Sequence, residues 1–416
     1  MNKAMVSLGV AIAFGVIAVG AAQSGKKTIT IASWAGNDKL IEGVIPGFVK
    51  ANPNLEVKVL GGAAYGDYHP ALNNRLNAGN AEDVVSLGGQ FVVEYADGNL
   101  LDDLSKAPYG FGATQQRKFV AAQVAAATGP NRNVVAVPVD APPQVTYYRR
   151  DVLEKAGVKI EDLTSSWDSY IAAGKKLKAQ GAFITNGATD VAATIIGGNI
   201  PAGQGVYFDR SGKPTVTGAR FVRAFTVAKQ VRDLGMDSRI GGWSPEWFDA
   251  FKTGKIATVS IGSWFENILM DNLGKENSGK WGVALSPERN TTIAGGAFFS
   301  VPAAGKNKAD AWKLIQYLTS PAVQAEVFRQ SGNFPANLDT LSNPVFDEAS
   351  AYFGGQKIRQ VYAEAAKRTA PAVATKNFAI AETAVNEALK AVLDQGKDIK
   401  TALAEAQALI ERRTSR

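Results

Sequence analysis

The stretch FKTGKIATVSIGSWFENI, Phe251–Ile268, joins the end of a helix to a strand. After Gly254 the chain continues as an apolar run, 256–261, that is typical of a buried strand. The strand then delivers two large aromatic residues, Trp264 and Phe265, into what looks like a loop. A helix that leads into a buried strand indicates an α/β fold, and ligands of open α/β sheets bind beyond the carboxyl ends of the strands.

The same alternation is present near the N-terminus. Residues 27–33 (KTITIAS) alternate in polarity and are rich in β-branched residues, which predicts a strand, and 55–60 and 82–87 predict two more. Between them, residues 41–49 place apolar side chains at helical spacing, and 65–78 are also helical in pattern. This strand–helix–strand order indicates an α/β domain with a largely parallel sheet.

Length and linkers favour two domains. The chain has 416 residues, 46% hydrophobic and 20% charged, which is too long for one modest core. Segments 137–148, 287–296 and 332–344 contain prolines that favour extended backbone, and three crossings make both lobes discontinuous. We therefore predict an N-terminal lobe of residues 23–139 plus 292–340 and a C-terminal lobe of residues 140–291 plus 341–416, each a mainly parallel sheet flanked by helices.

The first 22 residues have the composition of a secretory signal peptide. Lys3 precedes an apolar stretch, 6–19, and Gly20-Ala21-Ala22 offers a cleavage site. A buried N-terminal helix is the alternative. The chain contains no cysteine, which excludes a lipid-modified N-terminal cysteine. An exported protein that is neither membrane-inserted nor anchored would diffuse away from a cell with one membrane, so we expect the periplasm.

Charge and composition exclude several classes of function. The formal net charge is +7, but the basic residues are scattered, whereas a nucleic-acid surface needs a concentrated basic stripe. The one histidine, His69, and the lack of cysteine remove most nucleophile–base and zinc sites. The sequence contains no dinucleotide, phosphate-loop or nucleophile-elbow motif. We therefore expect no nucleic acid, cofactor or metal, although a glycosidase pair of carboxylates stays open.

The seven tryptophans fall into two groups. Four occupy positions that predict packing in the core: Trp167, Trp247, Trp281 and Trp312. The other three lie in glycine-flanked loops: Trp34, Trp243 and Trp264. An indole at the carboxyl end of a strand gives a flat apolar platform for the C–H face of a sugar ring. A ligand-facing role is favoured for Trp264, while packing and ligand contact stay open for Trp34 and Trp243.

Five stretches, in this order, resemble one known family: 81–105, 134–158, 165–177, 251–264 and 295–337. The chain is similar, from about residue 28 to 409, to bacterial extracellular solute-binding proteins of family 1. These are the maltose-binding-protein-like receptors of carbohydrate ABC importers. The resemblance implies a two-lobed periplasmic-binding-protein fold of type II, with a multi-crossing hinge and a sugar held in the cleft. It also implies delivery to the transmembrane subunits of an ABC permease, and a monomer is the expected state.

The resemblance carries over to named ligand-binding positions. These are Trp34, Asn37, Asp38, Tyr65, Asp67, Gln90, Asp140, Trp243, Trp264, Glu266, Gly295 and Gly296. Two departures from the family pattern occur. "YYRR" replaces Tyr-Asn-Lys/Arg, which leaves the charge of the ligand open because Arg149 could face it, and Glu82 replaces a proline.

Three hypotheses follow from these observations. The first is a sugar receptor of an ABC importer that traps a mono- or oligosaccharide by hinge closure and performs no reaction. The second is the same fold with a non-sugar solute, such as a glycerol phosphate, a polyamine or a metal chelate. The third is a secreted polysaccharide-active enzyme.

Overall fold

The structure is a computed structural model, and it describes residues 25–129, 131–201, 203–289, 292, 295–373 and 375–415. The predicted signal peptide, residues 1–22, lies outside the described residues. Within these ranges, no helix combines the length and the apolar character needed to cross a membrane.

The described residues form eight strands, and their bounds agree with the strands predicted near the N-terminus. They are β1 (Lys27–Ala32), β2 (Leu55–Leu60), β3 (Val84–Gly88), β4 (Val137–Pro138), β5 (Gln144–Arg149), β6 (Thr258–Gly262), β7 (Trp281–Ala284) and β8 (Ala297–Ser300). The α-helices alternate with these strands in the first half of the chain, as the rhythm of the sequence predicts, and two long helices close the chain.

The helices are α1 (Asn37–Ala51), α2 (Tyr65–Asn77), α3 (Gly89–Asp97), α4 (Ala113–Gln116), α5 (Ala121–Ala126), α6 (Arg150–Lys155), α7 (Ile160–Thr164), α8 (Trp167–Ala179), α9 (Ala188–Gly197), α10 (Ala219–Asp233), α11 (Pro245–Lys252), α12 (Phe265–Leu273), α13 (Lys308–Leu318), α14 (Pro321–Ser331), α15 (Ile358–Arg368), α16 (Phe378–Gln395) and α17 (Ile399–Thr414). Short 3-10 helices occupy Lys275–Asn277, Pro287–Arg289, Leu338–Ser342, Pro344–Asp347 and Ala351–Phe353.

The larger sheet has the strand order β2-β1-β3-β8-β4. Strand β1 is parallel to β2 and β3, whereas β8 is antiparallel to β3 and to β4. All five residues of β3 are buried, because this central strand is covered on both faces. The carboxyl ends of β1, β3 and β4 therefore meet the amino end of β8 at one edge of the sheet.

The smaller sheet corrects the prediction of mainly parallel strands in both lobes. Its order is β6-β5-β7, and both pairs are antiparallel. The reason is connectivity: β5 carries the chain away from the larger sheet, and β7 leads it back toward β8. Parallel pairing continues beyond β6 as single bridges, in which Phe183 pairs with Ile256 and Thr185 pairs with Asp237.

The smaller sheet separates two apolar cores. Tyr147 and Tyr148 are neighbours on β5, and their side chains are buried in different cores. Consecutive strand residues point to opposite faces of a sheet, so each tyrosine packs in the core on its own side. The first core is continuous from the larger sheet to β5, α11, α12 and α15. The second lies among α8, α9, α10, α16 and α17. The predicted lobe boundaries stay a prediction.

The packing role predicted for four tryptophans is confirmed. Trp167, Trp247, Trp281 and Trp312 are all buried. Serine side chains cap the starts of two helices. Ser166 Oγ accepts a hydrogen bond from Ser169 N at the start of α8, and Ser244 Oγ accepts one from Trp247 N before α11.

Candidate functional site

A cavity of about 1000 Å³ lies where the ends of both sheets meet. The larger sheet contributes residues that directly follow its strands, including Trp34 after β1, Gln90 after β3 and Asp140 after β4. The smaller sheet contributes Trp264, which follows β6. The cavity therefore occupies the edge at which α/β sheets place their ligands. We call it the cleft.

The cleft contains eight of the twelve predicted ligand-binding residues. They are Trp34, Asn37, Tyr65, Gln90, Asp140, Trp264, Gly295 and Gly296. Gly295 and Gly296 have φ angles of 99° and 140°, and a Cβ at Gly296 would collide with the amide of Gln123. The glycine pair thus gives the backbone a close approach to the cleft. Whether these residues contact a ligand stays a prediction.

Two aromatic side chains form one wall of the cleft, on the side of the larger sheet. The ring of Trp34 contacts the ring of Tyr65 edge to face, with centroids 5.2 Å apart and an interplanar angle of 77°. Tyr65 is 40% exposed and Trp34 is half-buried. Both rings therefore keep an accessible surface while their positions are fixed by each other. We call Trp34 and Tyr65 the aromatic wall.

The opposite side of the cleft is formed where β6 ends. Trp264 and Phe265 separate there: Phe265 is 0% exposed in the first core, while Trp264 is half-buried and lines the cleft. A Cβ at Gly262 would collide with the indole of Trp264, so glycine allows that ring to fold back over the strand end. The strand thus delivers one aromatic to the core and one to the cleft.

The polar lining consists mainly of amides and hydroxyls. Gln123 Nε2 donates to the carbonyl oxygen of Asp140 at 2.7 Å, and the Asp140 carboxylate accepts from Ala297 N at 2.6 Å. Burial removes water from the charged carboxylate and raises the pKa of Asp140 to about 6. Among the described residues that line the cleft, Asp140 is the one carboxylate, and none is Lys or Arg.

The prediction that Asp38 binds ligand is wrong. Its side chain is 3% exposed, and its carboxylate accepts hydrogen bonds from the backbone N–H groups of Gly36, Lys39 and Gly62. It ties the loop after β1 to the loop after β2. Its neighbour Asn37 lines the cleft instead. Sequence position alone cannot tell which of two adjacent residues in the first turn of a helix points outward.

The structure also places Glu266 away from the cleft. The residue is 4% exposed, and its Oε1 lies 3.5 Å from Nη2 of Arg359. Burial raises the pKa of Glu266, and the Arg359 charge opposes that shift. The carboxylate therefore belongs to the packing between α12 and α15, which corrects the prediction.

Asp67 and Trp243 are likewise not among the residues that line the cleft. Asp67 is exposed in the first turn of α2. Trp243 is 55% exposed, lines a neighbouring cavity of about 610 Å³, and stacks on Trp264 with centroids 5.9 Å apart and 21° between planes. Trp243 therefore supports Trp264 from outside. The structure therefore places neither residue on the cleft, and their contact with a ligand stays a prediction.

Arg149 does not face the cleft either. Its side chain is buried at the far end of β5, where it donates to Asp151 and to the carbonyls of Phe251 and Lys252. The departure "YYRR" thus adds no cation to the site.

Sequence reasoning missed several lining residues. They include Gln123 on α5, Asn333 after α14, and members of the segment between α15 and α16: Thr369, Ala370, Ala372, Val373, Thr375 and Phe378. The segment is held from two sides, since Val373 N donates to Gln204 O at 2.9 Å and Lys376 Nζ lies 2.8 Å from Asp97. The one feature of the sequence that marks this segment is Pro371, which interrupts a region of helical pattern. We call residues 369–378 the strap.

Two proteins named for the ligands they bind are similar in sequence to this chain. The lactose-binding protein of Rhizobium radiobacter is 26% identical over 287 residues, which cover 63% of this chain and 67% of that protein. The sn-glycerol-3-phosphate-binding periplasmic protein of Rhizobium meliloti is 23% identical over 327 residues, 73% of this chain and 72% of that protein.

A solved structure shows the fold. The sugar-binding protein MalE of Xanthomonas citri superposes with a TM-score of 0.80 at 18% identity, over 93% of this chain and 98% of that one. This likeness confirms the two-lobed α/β fold expected from the sequence. The sequence pattern of the family described as "Bacterial extracellular solute-binding protein" matches residues 45–354. This chain therefore belongs to the bacterial extracellular solute-binding protein family.

Proposed function

We propose that this protein is the substrate-binding protein of an ABC importer and that it captures an uncharged mono- or oligosaccharide in the cleft. The observation that carries the proposal is the chemistry of the lining. Trp34, Tyr65 and Trp264 offer apolar ring surface, and amides and hydroxyls surround them. Sugars present both an apolar C–H face and a rim of hydroxyls, which this combination matches.

The cleft favours a neutral ligand over a phosphate. One relative is named for sn-glycerol-3-phosphate, and another is named for lactose. Phosphate recognition uses arginine or lysine side chains. The described residues that line the cleft include neither, and Arg149 is turned away. A polyamine would need several carboxylates, whereas Asp140 is alone among these residues.

The mechanism is binding without a reaction. Trp34 and Trp264 follow strands of different sheets, so each half of the molecule supplies part of the contact surface. A ligand that touches both halves binds the closed form better than the open form, and that difference in affinity shifts the hinge equilibrium. Export by a signal peptide of residues 1–22, a periplasmic location, a monomeric state and delivery to permease subunits complete the proposal.

A thermal-shift panel tests the proposal. Lactose, maltose, arabinose, glycerol 3-phosphate and spermidine are added separately to the purified protein, because a ligand that binds only the folded state raises the melting temperature. We expect a shift with at least one sugar and none with glycerol 3-phosphate or spermidine. A shift with either charged solute alone would overturn the proposal. New products after incubation with oligosaccharides would favour the enzyme hypothesis instead.

A further inference from the structure

The chain's single histidine, His69, lies directly behind the aromatic wall. It is 0% exposed on α2. Its ring stacks on Phe91 with centroids 3.9 Å apart and 10° between planes, and it lies 4.5 Å from the Tyr65 ring and 5.6 Å from the Trp34 ring. The imidazole therefore supports both members of the wall without lining the cleft.

Two hydrogen bonds define the protonation state of the ring. Nε2 lies 3.0 Å from Gly88 N, and a backbone N–H can only donate, so Nε2 must accept. Nδ1 lies 3.0 Å from the carbonyl oxygen of Tyr65, which can only accept, so Nδ1 must carry the proton. The arrangement requires the neutral imidazole in its Nδ1–H tautomer.

These two bonds hold two different parts of the cleft. Tyr65 is the first residue of α2, and its ring belongs to the aromatic wall. Gly88 ends β3 and precedes Gly89 and Gln90, which line the cleft. A Cβ at Gly88 would collide with the Tyr65 hydroxyl, so the tyrosine ring lies over this glycine. His69 thus joins the tyrosine and the turn beneath it from behind.

We propose that His69 is a positioning residue of the sugar site: as the neutral Nδ1–H imidazole it fixes Tyr65 and the turn after β3, and adding a second proton breaks its bond to Gly88 and releases that turn. The inference rests on the proposed function, since it assigns a role in the same cleft. A proton on Nε2 would face the Gly88 N–H, so two donors would meet and one bond would be lost.

The surroundings favour the neutral ring. Burial lowers the pKa of His69 below its ordinary value of 6.5, and the bond to the Tyr65 carbonyl opposes this shift. The titratable side chains whose rings pack on the imidazole are Tyr65 and Tyr68, and the Tyr95 hydroxyl donates to the backbone carbonyl oxygen of His69. Burial raises the pKa of all three tyrosines. The carboxylates on the packed helices, among them Asp67 and Glu94, are exposed.

The sign of the pH effect follows from this shift. Above pH 6.5 both the folded and the unfolded chain hold a neutral His69, and its contribution to stability is fully present. As pH falls, the unfolded chain takes up the proton first, so stability decreases until the folded-state pKa is reached. Below that value the folded protein is protonated as well, and the bond between His69 and Gly88 N behind the aromatic wall is lost.

The first test needs no sugar. NMR of the ligand-free protein, purified without a histidine tag, gives the imidazole ¹⁵N shifts of one histidine only. We expect the Nδ1–H tautomer at neutral pH, a midpoint below 6.5, and faster exchange of the Gly88 amide hydrogen below that midpoint. The Nε2–H tautomer, or a midpoint at or above 6.5, would overturn the proposal.

The second test compares two variants with the sugar that gives the largest shift in the panel. His69→Gln keeps one donor and one acceptor, so affinity should fall by less than about threefold. His69→Leu removes the imidazole that accepts from Gly88 N and donates to Tyr65 O, so affinity should fall by about tenfold or more. Equal affinity of His69→Leu and wild type would overturn the positioning role.

The outcomes separate the two proposals. If no sugar binds the wild-type protein, the proposed function fails, while the NMR titration still decides how His69 holds Tyr65 and Gly88. If His69→Leu does not fold, His69→Gln and the titration remain decisive. In His69→Gln the pH dependence of affinity that belongs to His69 should disappear, and any remainder near pH 6 belongs to Asp140.

Discussion

The two aromatic sides of the cleft are held in place by different physical means. Trp34 and Tyr65 are fixed from behind by His69, through ring contacts and two hydrogen bonds. Trp264 is held by stacking on Trp243 and by the close approach that Gly262 allows. The first side therefore depends on the protonation of one buried group, whereas the stacking and the close approach on the second side involve no titratable group. Two similar surfaces can thus respond differently to pH.

The largest expected effect on sugar affinity is at the side of the cleft formed by Trp264. Trp264→Ala removes the aromatic surface on one side of the cleft, so we expect sugar affinity to fall by about 30-fold or more, in line with about 2 kcal/mol or more for such residues. Isothermal titration calorimetry measures this, and circular dichroism checks that the fold is kept. Trp243→Ala is the matched control, with a smaller loss. Unchanged affinity in Trp264→Ala would remove this residue from the site.

The aromatic wall can be disturbed without touching its rings. Gly88→Ala places a methyl group where the Tyr65 hydroxyl lies, so the tyrosine must move and affinity should fall by about tenfold. Gly66→Ala on the same helix is the control, because an added Cβ there meets no atom within 4 Å. The same titration measures both variants. Similar affinities for the two would show that the position of Tyr65 does not matter.

A buried carboxyl group gives the cleft a second pH response. Because burial raises the pKa of Asp140 from 3.8 to about 6, its contribution to stability is present below pH 3.8 and is lost as pH rises through about 6. Asp140→Asn should therefore be more stable than wild type at about pH 8, by about 1 kcal/mol, and equally stable near pH 4. Thermal unfolding at both pH values measures the difference. An equal gain at both would contradict this assignment.

The smallest effect concerns the strap. Lys376 and Asp97 form an exposed ion pair, and such pairs contribute about 0–1 kcal/mol. We expect Lys376→Ala to change sugar affinity by less than about threefold, and the change to vanish in high salt. A double-mutant cycle with Asp97→Ala isolates the pair. A tenfold loss that persists in high salt would show that the strap is more than loosely tethered.

The periodic elements were predictable from sequence, and so was the edge of the sheet that forms the cleft. Trp34, Gln90 and Trp264 follow strands, so their approximate place depended only on where those strands end. Two site residues were placed wrongly, one because of local geometry and one because of a partner far away in the sequence. Asp38 differs from Asn37 only by its direction within one helical turn, whereas Glu266 turns toward Arg359, a partner far along the chain.

The strap and His69 illustrate what a single sequence does not reveal. Apart from Phe378, the strap lines the cleft with alanine, threonine and valine, residue types that carry no chemical signature. No motif in the sequence around His69 identifies a role for it. Its role depends on Gly88, which comes close only after β3 and α2 have packed.

The central position of β5 in the smaller sheet affects how the molecule can move. This strand follows the crossing from the larger sheet and is bonded to β6 on one side and β7 on the other. A force transmitted along the crossing therefore reaches three strands at once, and we expect the sheet to turn as one stiff body. The rings of Pro142 and Pro143 restrict φ, and the carbonyl oxygen of Pro143 accepts a hydrogen bond from Ser263 N, so we expect rotation between the sheets to occur outside these two residues.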